Sequence, residues 1–167
     1  KKLLINAGGN NPRIGFTEAT RENPQNPPMF CMLLRKYLNG ARLDVVRQAG
    51  FERVVFLDFT TRDEMGFECK RILIVEIMGK YSSLIFTDQN KKIISRLRTV
   101  DFTTSSLRQL LPGMIYELPP KQEKKNADTV SMPELMNDIE ELEDDAFLDK
   151  FLVYYIFEEI FQKQVFQ

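Results

Sequence analysis

NPPMFCMLLRKYLNGARLDVVRQAGFER, residues 26 to 53, changes its hydrophobic period halfway along. In its first half Phe30, Leu33, Leu34, Tyr37 and Leu38 recur at three- and four-residue spacing, which puts them on one face of a helix. Asn26 is placed to cap that helix, and Pro27 suits a first position where a missing N–H costs nothing. Arg35 and Lys36 fall beside the stripe and point to water. Asn39-Gly40 predicts the stop, because glycine takes the left-handed conformation that ends a helix. Leu43 to Val46 then reads as a short strand, Gln48-Ala49-Gly50 as a turn, and Glu52-Arg53 as an acid and base set just past it. The stretch therefore predicts one helix, for which Pro27 to Asn39 is the expected span, laid against strands.

Downstream the pattern stays with strands. Val54 to Thr60 and Ile72 to Met78 are near-continuous apolar runs, the mark of strands buried on both faces. The charged loop Arg62 to Gly66 separates them, and Gly79 ends the second. Leu84 to Thr87 and Ile93 to Leu97 flank DQNKK, a hairpin signal. In the last strand Arg96 and Arg98 share a face with Ile94. Leu107 to Leu111 predicts a short helical turn before Pro112-Gly113. Upstream, Lys2 to Ile5 and Arg13 to Thr17 are strand-like runs joined by AGGNN, an abrupt opening that suggests the chain begins inside a domain. Several short strands with a single helix predict an α+β fold, an antiparallel sheet layered on a helix.

Pro119-Pro120 and Lys121 to Asn126 read as a linker, giving domains over 1–120 and 131–167 with 121–130 between them. Ser131 and Glu134 form a capping box that opens a helix through about Leu142. Ala146 to Phe166 continues as a second, strongly apolar helix. It either packs back on the sheet or has its partners beyond Gln167; the second is the favoured reading, making 131–167 the start of an acidic helical domain.

With 167 residues, 43% hydrophobic and 28% charged, the chain is globular rather than disordered. It contains no apolar run of the roughly 18 residues that a membrane span requires, and no signal-peptide pattern is present. Histidine is absent, which excludes Ser-His-Asp triads and His-bearing zinc sites. Cys31 and Cys69 match no metal spacing and read as reduced structural thiols. The net charge of −1 conceals a polarised chain: residues 1 to 125 hold 21 Lys and Arg against 13 Asp and Glu, while 126 to 167 hold 2 against 11. A basic module suits a polyanion partner, although scattered cations also serve solubility.

PPMFCMLLRKYLNG resembles the signature of the NFACT family, proteins once labelled fibronectin-binding protein A. QAGFERVV, LIVEIMGKYSS and LRQLLPGMIYELPP resemble further blocks of that family in the same order, so the resemblance spans most of residues 27 to 120. It implies a β-sandwich-like domain resembling the N-terminal domain of formamidopyrimidine-DNA glycosylases, followed by a helical module. It also implies a non-enzymatic, cytoplasmic factor that binds obstructed large ribosomal subunits and tRNA, supporting template-free tailing of stalled nascent chains. No cofactor or metal is expected. Glycosylase chemistry is not: the chain opens Lys1-Lys2 rather than with a catalytic proline, and two cysteines cannot build the zinc finger. The older family label leaves fibronectin as an alternative partner and a surface adhesin as the alternative function. The missing export signal and the lack of a disulfide framework weigh against that alternative.

Glu52-Arg53 reads on its own as a surface ion pair. Through the resemblance it becomes the tRNA-contacting pair, with glutamate where the family typically has aspartate. Gly79-Lys80-Tyr81-Ser82-Ser83 is a glycine-led basic loop suited to a phosphate backbone, with Tyr81 and Ser83 standing where the family usually has histidine and asparagine. The expected RNA-binding residues are thus Glu52, Arg53, Lys80, Arg35, Lys36, Arg96 and Arg98, with Arg42, Arg47 and Arg108 adding to the basic surplus. Glu76, alone in an apolar strand, must be paired or protonated. Arg53, Lys80 or another neighbouring cation is the expected partner, and a structural salt bridge is favoured over catalysis.

Overall fold

The computed structural model describes residues 2–8, 11–20, 22–50, 52–98, 108–120, 131–133 and 136. The chain divides into two compact units, Lys1–Pro120 and Lys121–Gln167. In the first, β1 (Lys2–Asn6) and β2 (Arg13–Thr17) form an antiparallel pair, and α1 (Met29–Leu38) follows. A five-stranded antiparallel meander comes next, in the order β3 (Arg42–Gln48), β4 (Val54–Arg62), β5 (Glu68–Glu76), β6 (Ser83–Asp88) and β7 (Ile93–Arg96). Antiparallel strands with one packed helix meet the α+β expectation. The linker and the capping box at Ser131 and Glu134 fall largely, and the Ala146 to Phe166 helix wholly, outside the described residues.

The apolar runs of β4, β5 and β6 are explained by burial on both faces. On one face Val55, Leu57, Leu73, Val75 and Phe86 are buried, and α1 lies against that side: the Tyr37 ring sits 5.7 Å from Phe86, and Thr61 Oγ1 donates to Tyr37 O at 2.7 Å. On the other face Val54, Phe56, Ile72, Ile74, Ile85 and Ile93 form a cluster closed by Leu110 and Tyr116. Each such side chain contributes about 1.5–3 kcal/mol by leaving water. Residues 108–120 thus act as a strap. Gly113 N donates to Ile93 O, Ile93 N to Met114 O and Tyr116 N to Lys91 O, all at 2.8 Å, so the strap also pairs with the outer edge of β7, where a bare strand would invite aggregation.

Several assignments differ from expectation. The helix begins at Met29 after a Pro28 N-cap, and no side chain caps it, so Asn26 is not the cap. A residue before proline avoids helical dihedrals, and Pro27 precedes Pro28. Strand β5 starts at Glu68 rather than Ile72 and ends at Glu76, because it pairs with the whole length of β4 from Arg62↔Glu68 to Val54↔Glu76. Strand β3 extends over seven residues, with a bulge between Leu43 and Val45. Residues 108–111 are not helical, with Arg108 bound to Glu76 and the Leu110 carbonyl accepting from Arg96. Gly40 has φ +74 at the helix end, as the left-handed stop requires. Both cysteines are free and half-buried. Among the described residues no helix is long and apolar enough to cross a membrane.

Candidate nucleic-acid interface

In a meander, alternate turns fall at the same end of the sheet. The end where β3 finishes and β4 begins is also where β5 finishes, β6 begins and β7 finishes. Three short segments therefore converge there. The β3–β4 turn is drawn tight by Ala49 N to Val54 O and Glu52 N to Ala49 O, both 3.0 Å. Gln48 Nε2 donates to Glu52 O at 3.1 Å, and Gly50 takes φ +57. These bonds leave Arg53 exposed and Glu52 half-buried. Ile77 N donates to Arg53 O at 2.9 Å, which holds the turn against the segment leaving β5.

That segment winds into a single 3-10 turn, Gly79–Tyr81. Gly79 sits at φ +54, a region that side chains with a Cβ rarely adopt. Ser82, fully buried, pins the turn: its Oγ accepts from Met78 N at 2.8 Å and donates to Gly79 O at 2.7 Å. Beyond β7, Leu97 N donates to Leu84 O at 2.8 Å, which carries Arg98 to the same place. Arg98 Nη1 donates to Lys80 O at 2.9 Å. Glu52, Arg53, Lys80 and Arg98 thus share one end of the sheet, with the Lys80 ammonium 5.0 Å from the centroid of the Tyr81 ring.

Glu76, the last residue of β5, lies directly beneath and is 1% exposed. It is paired, as expected, but not with Arg53 or Lys80. Arg108 grips it through two parallel bonds of 2.8 Å, Nη1 to Oε1 and Nη2 to Oε2. The Tyr116 hydroxyl donates to Oε1 at 2.7 Å, and Arg108 Nη1 also donates to Glu117 O. Arg108, whose side chain is only 11% exposed, belongs to this buried cluster rather than to the outer basic surface. Burial works to lower its pKa, but bonds and charge attraction from Glu76 outweigh that and raise it. Burial, reinforced by the Glu76 charge, pushes the Tyr116 phenol far up. Tyr116 was not singled out in the sequence, although it stands in the fourth family block.

The other expected residues go elsewhere. Lys36 and Arg35 occupy the last turn of α1, which is held at Thr61 and by the Lys36–Glu64 ion pair; this is the opposite end of the sheet. Arg96 turns its Nη1 onto Leu110 O, securing the strap. Arg42 pairs with Asp44 at 2.7 Å. Arg47 forks onto Asp58 at 2.9 and 3.2 Å and stacks 4.2 Å over Phe56. The cations therefore do not form one patch: a compact group at one end carries Arg53, Lys80 and Arg98, and the rest are engaged locally.

The model of the family described as NFACT N-terminal and middle domains matches residues 1–163, and the chain belongs to that family. It is 42% identical over 125 residues to a Bacillus subtilis protein named Rqc2 homolog RqcH, covering 74% of this chain and 22% of that one. It is 36% identical over 122 residues to the archaeal Rqc2 homolog aRqcH of Methanocaldococcus jannaschii, covering 73% and 17%. The chain thus spans about a fifth of the length of these relatives. Among solved structures, it is similar to the N-terminal domain of fibronectin-binding protein PavA from Streptococcus pneumoniae, with a TM-score of 0.72 at 36% identity over 84% of this chain and 53% of that one. The N-terminal part of the fibronectin/fibrinogen-binding protein of Streptococcus suis gives 0.73 at 37% over the same shares.

Proposed function

We propose that this chain is an RNA-binding module of a ribosome-associated quality-control factor, one that engages obstructed large ribosomal subunits and tRNA in the cytoplasm and catalyses no reaction itself. The observation that carries this reading is the convergence of Arg53, Lys80 and Arg98 on rigid turns at one end of the sheet. Three cations gathered on turns at one end of the sheet suit the phosphates of a nucleic-acid backbone, and Glu52 at the same end offers an acceptor for an exocyclic amine. The names of the bacterial and archaeal relatives support the quality-control setting. In such a factor, residue addition would use the ribosome's own peptidyl-transfer centre.

The test uses the full-length protein, tagged in its own host, wild type against Arg53→Ala, recovered at two salt concentrations with its RNA sequenced. Large-subunit rRNA with a narrow set of tRNAs, the tRNAs falling away in the variant, is the expected result. No enrichment of ribosomal RNA at low salt would sink the reading. The names of the streptococcal neighbours favour a second one, a fibronectin-binding adhesin. Surface exposure of the protein on intact cells, together with failure to recover ribosomal RNA, would establish that alternative.

A further inference from the structure

Tyr81 is 60% exposed, yet the backbone of its turn is hydrogen-bonded on both sides. Tyr81 N donates to Met78 O at 3.0 Å and Ser82 N to Gly79 O at 3.1 Å. The buried Ser82 hydroxyl bonds to both Met78 and Gly79, and Arg98 clamps Lys80 O from the neighbouring segment. A flexible loop would let an aromatic ring fold back onto apolar surface. This turn leaves the ring exposed, with the Lys80 ammonium 5.0 Å from its centroid and Arg53 at the same end of the sheet, tied to the segment leading into the turn through the Ile77 N to Arg53 O bond.

A rigid exposed ring among cations has the composition of a stacking platform: the cations take phosphates, and the π face takes a base. Only an unpaired base offers its flat face, since in a duplex both faces are covered by neighbours. We infer that Tyr81 stacks on an unpaired nucleobase of the bound RNA and gives this end of the sheet its preference for loops over duplex. This rests on the RNA-binding reading above and adds what part of the RNA is recognised. A hydroxyl is not needed for stacking, whereas an aromatic face is.

The test is fluorescence anisotropy with the full-length protein, using a labelled RNA stem-loop with an open loop and a fully paired duplex of the same length. Wild type, Tyr81→Phe, Tyr81→Leu and Arg53→Ala are compared, with matched thermal melts as the folding check. Tyr81→Leu should lose about tenfold in affinity for the stem-loop, keep its affinity for the duplex, and so lose the loop preference; Tyr81→Phe should bind both as wild type does. Unchanged stem-loop binding in Tyr81→Leu, or equal losses on both RNAs, would overturn the stacking role even where Arg53→Ala weakens binding. If the wild type binds neither RNA, the RNA-binding reading fails, and the stacking role fails with it.

Discussion

Arg108 and Glu76, 32 positions apart, meet through two parallel 2.8 Å bonds in which the guanidinium fork matches the carboxylate edge on edge. Glu76 closes the strand that leads into the Lys80 turn, and Arg108 opens the strap that covers the core. The pair therefore ties the structural layer of the domain to its exposed end. A buried ion pair of this kind adds little over a well-packed apolar substitute, yet loss of one partner strands a charge in a poor solvent.

Arg108→Met should accordingly destabilise the domain by about 3–5 kcal/mol. Replacing the whole cluster, Glu76→Leu with Arg108→Met and Tyr116→Phe, should cost far less. Urea midpoints at unchanged m-values measure the difference. A triple variant as unstable as the single one would show that the charges themselves hold the fold.

Tyr116 provides an alkaline signature. Its pKa is raised from an ordinary value of 10.0, so below that pH both folded and unfolded chains keep the proton and its contribution is complete. Above it the unfolded chain ionises first, and stability falls as pH rises. Tyr116→Phe should lower stability at neutral pH by about 2 kcal/mol, the worth of a bond to a charged acceptor. It should also make the decline above pH 10.0 shallower than in wild type, as followed by denaturation at a series of pH values.

Two adjacent serines should behave oppositely. Ser82→Ala removes a hydroxyl bonded at 2.8 and 2.7 Å and should cost about 1–2 kcal/mol. The Ser83 hydroxyl is buried with no partner among the described residues, so Ser83→Ala should be neutral or stabilising. Thermal unfolding of the two variants distinguishes them.

Salt dependence should separate the two ends of the sheet. Each of Arg53→Ala, Lys80→Ala and Arg98→Ala should weaken RNA binding and reduce the slope of log affinity against log salt by about one. Lys36→Ala, at the other end and paired with Glu64, should leave that slope as it is. An equal effect from Lys36 would mean that the RNA track runs the length of the domain.

What the sequence made legible was local. The helix stripe, the glycine stop at Gly40, the β1–β2 pair and the β6–β7 hairpin all follow from periods and turn residues a few positions apart. The residues of the candidate site were legible one by one, but their convergence was not: the observed meander places alternate turns together and so brings Glu52, Arg53, Lys80 and Arg98 to one end of the sheet. Long-range partners were not legible. Nothing near Glu76 in the chain indicates Arg108 or Tyr116, and nothing near Arg96 indicates the Leu110 carbonyl. The helical turn expected at Leu107 to Leu111 is not seen over its described residues 108–111 for the same reason: Arg108 is committed to Glu76 and the Leu110 carbonyl to Arg96.

The strap has a consequence for the order in which the chain is made. Each strand of the meander pairs with its immediate predecessor, so the sheet can zip up as it is synthesised. Glu76 then emerges well before the arginine and tyrosine that satisfy it. Until Tyr116 is out, one face of the newborn sheet and one acid are bare. A chain interrupted in that interval would be a stalled, half-clothed product, the kind of client that the proposed role of this protein is to clear.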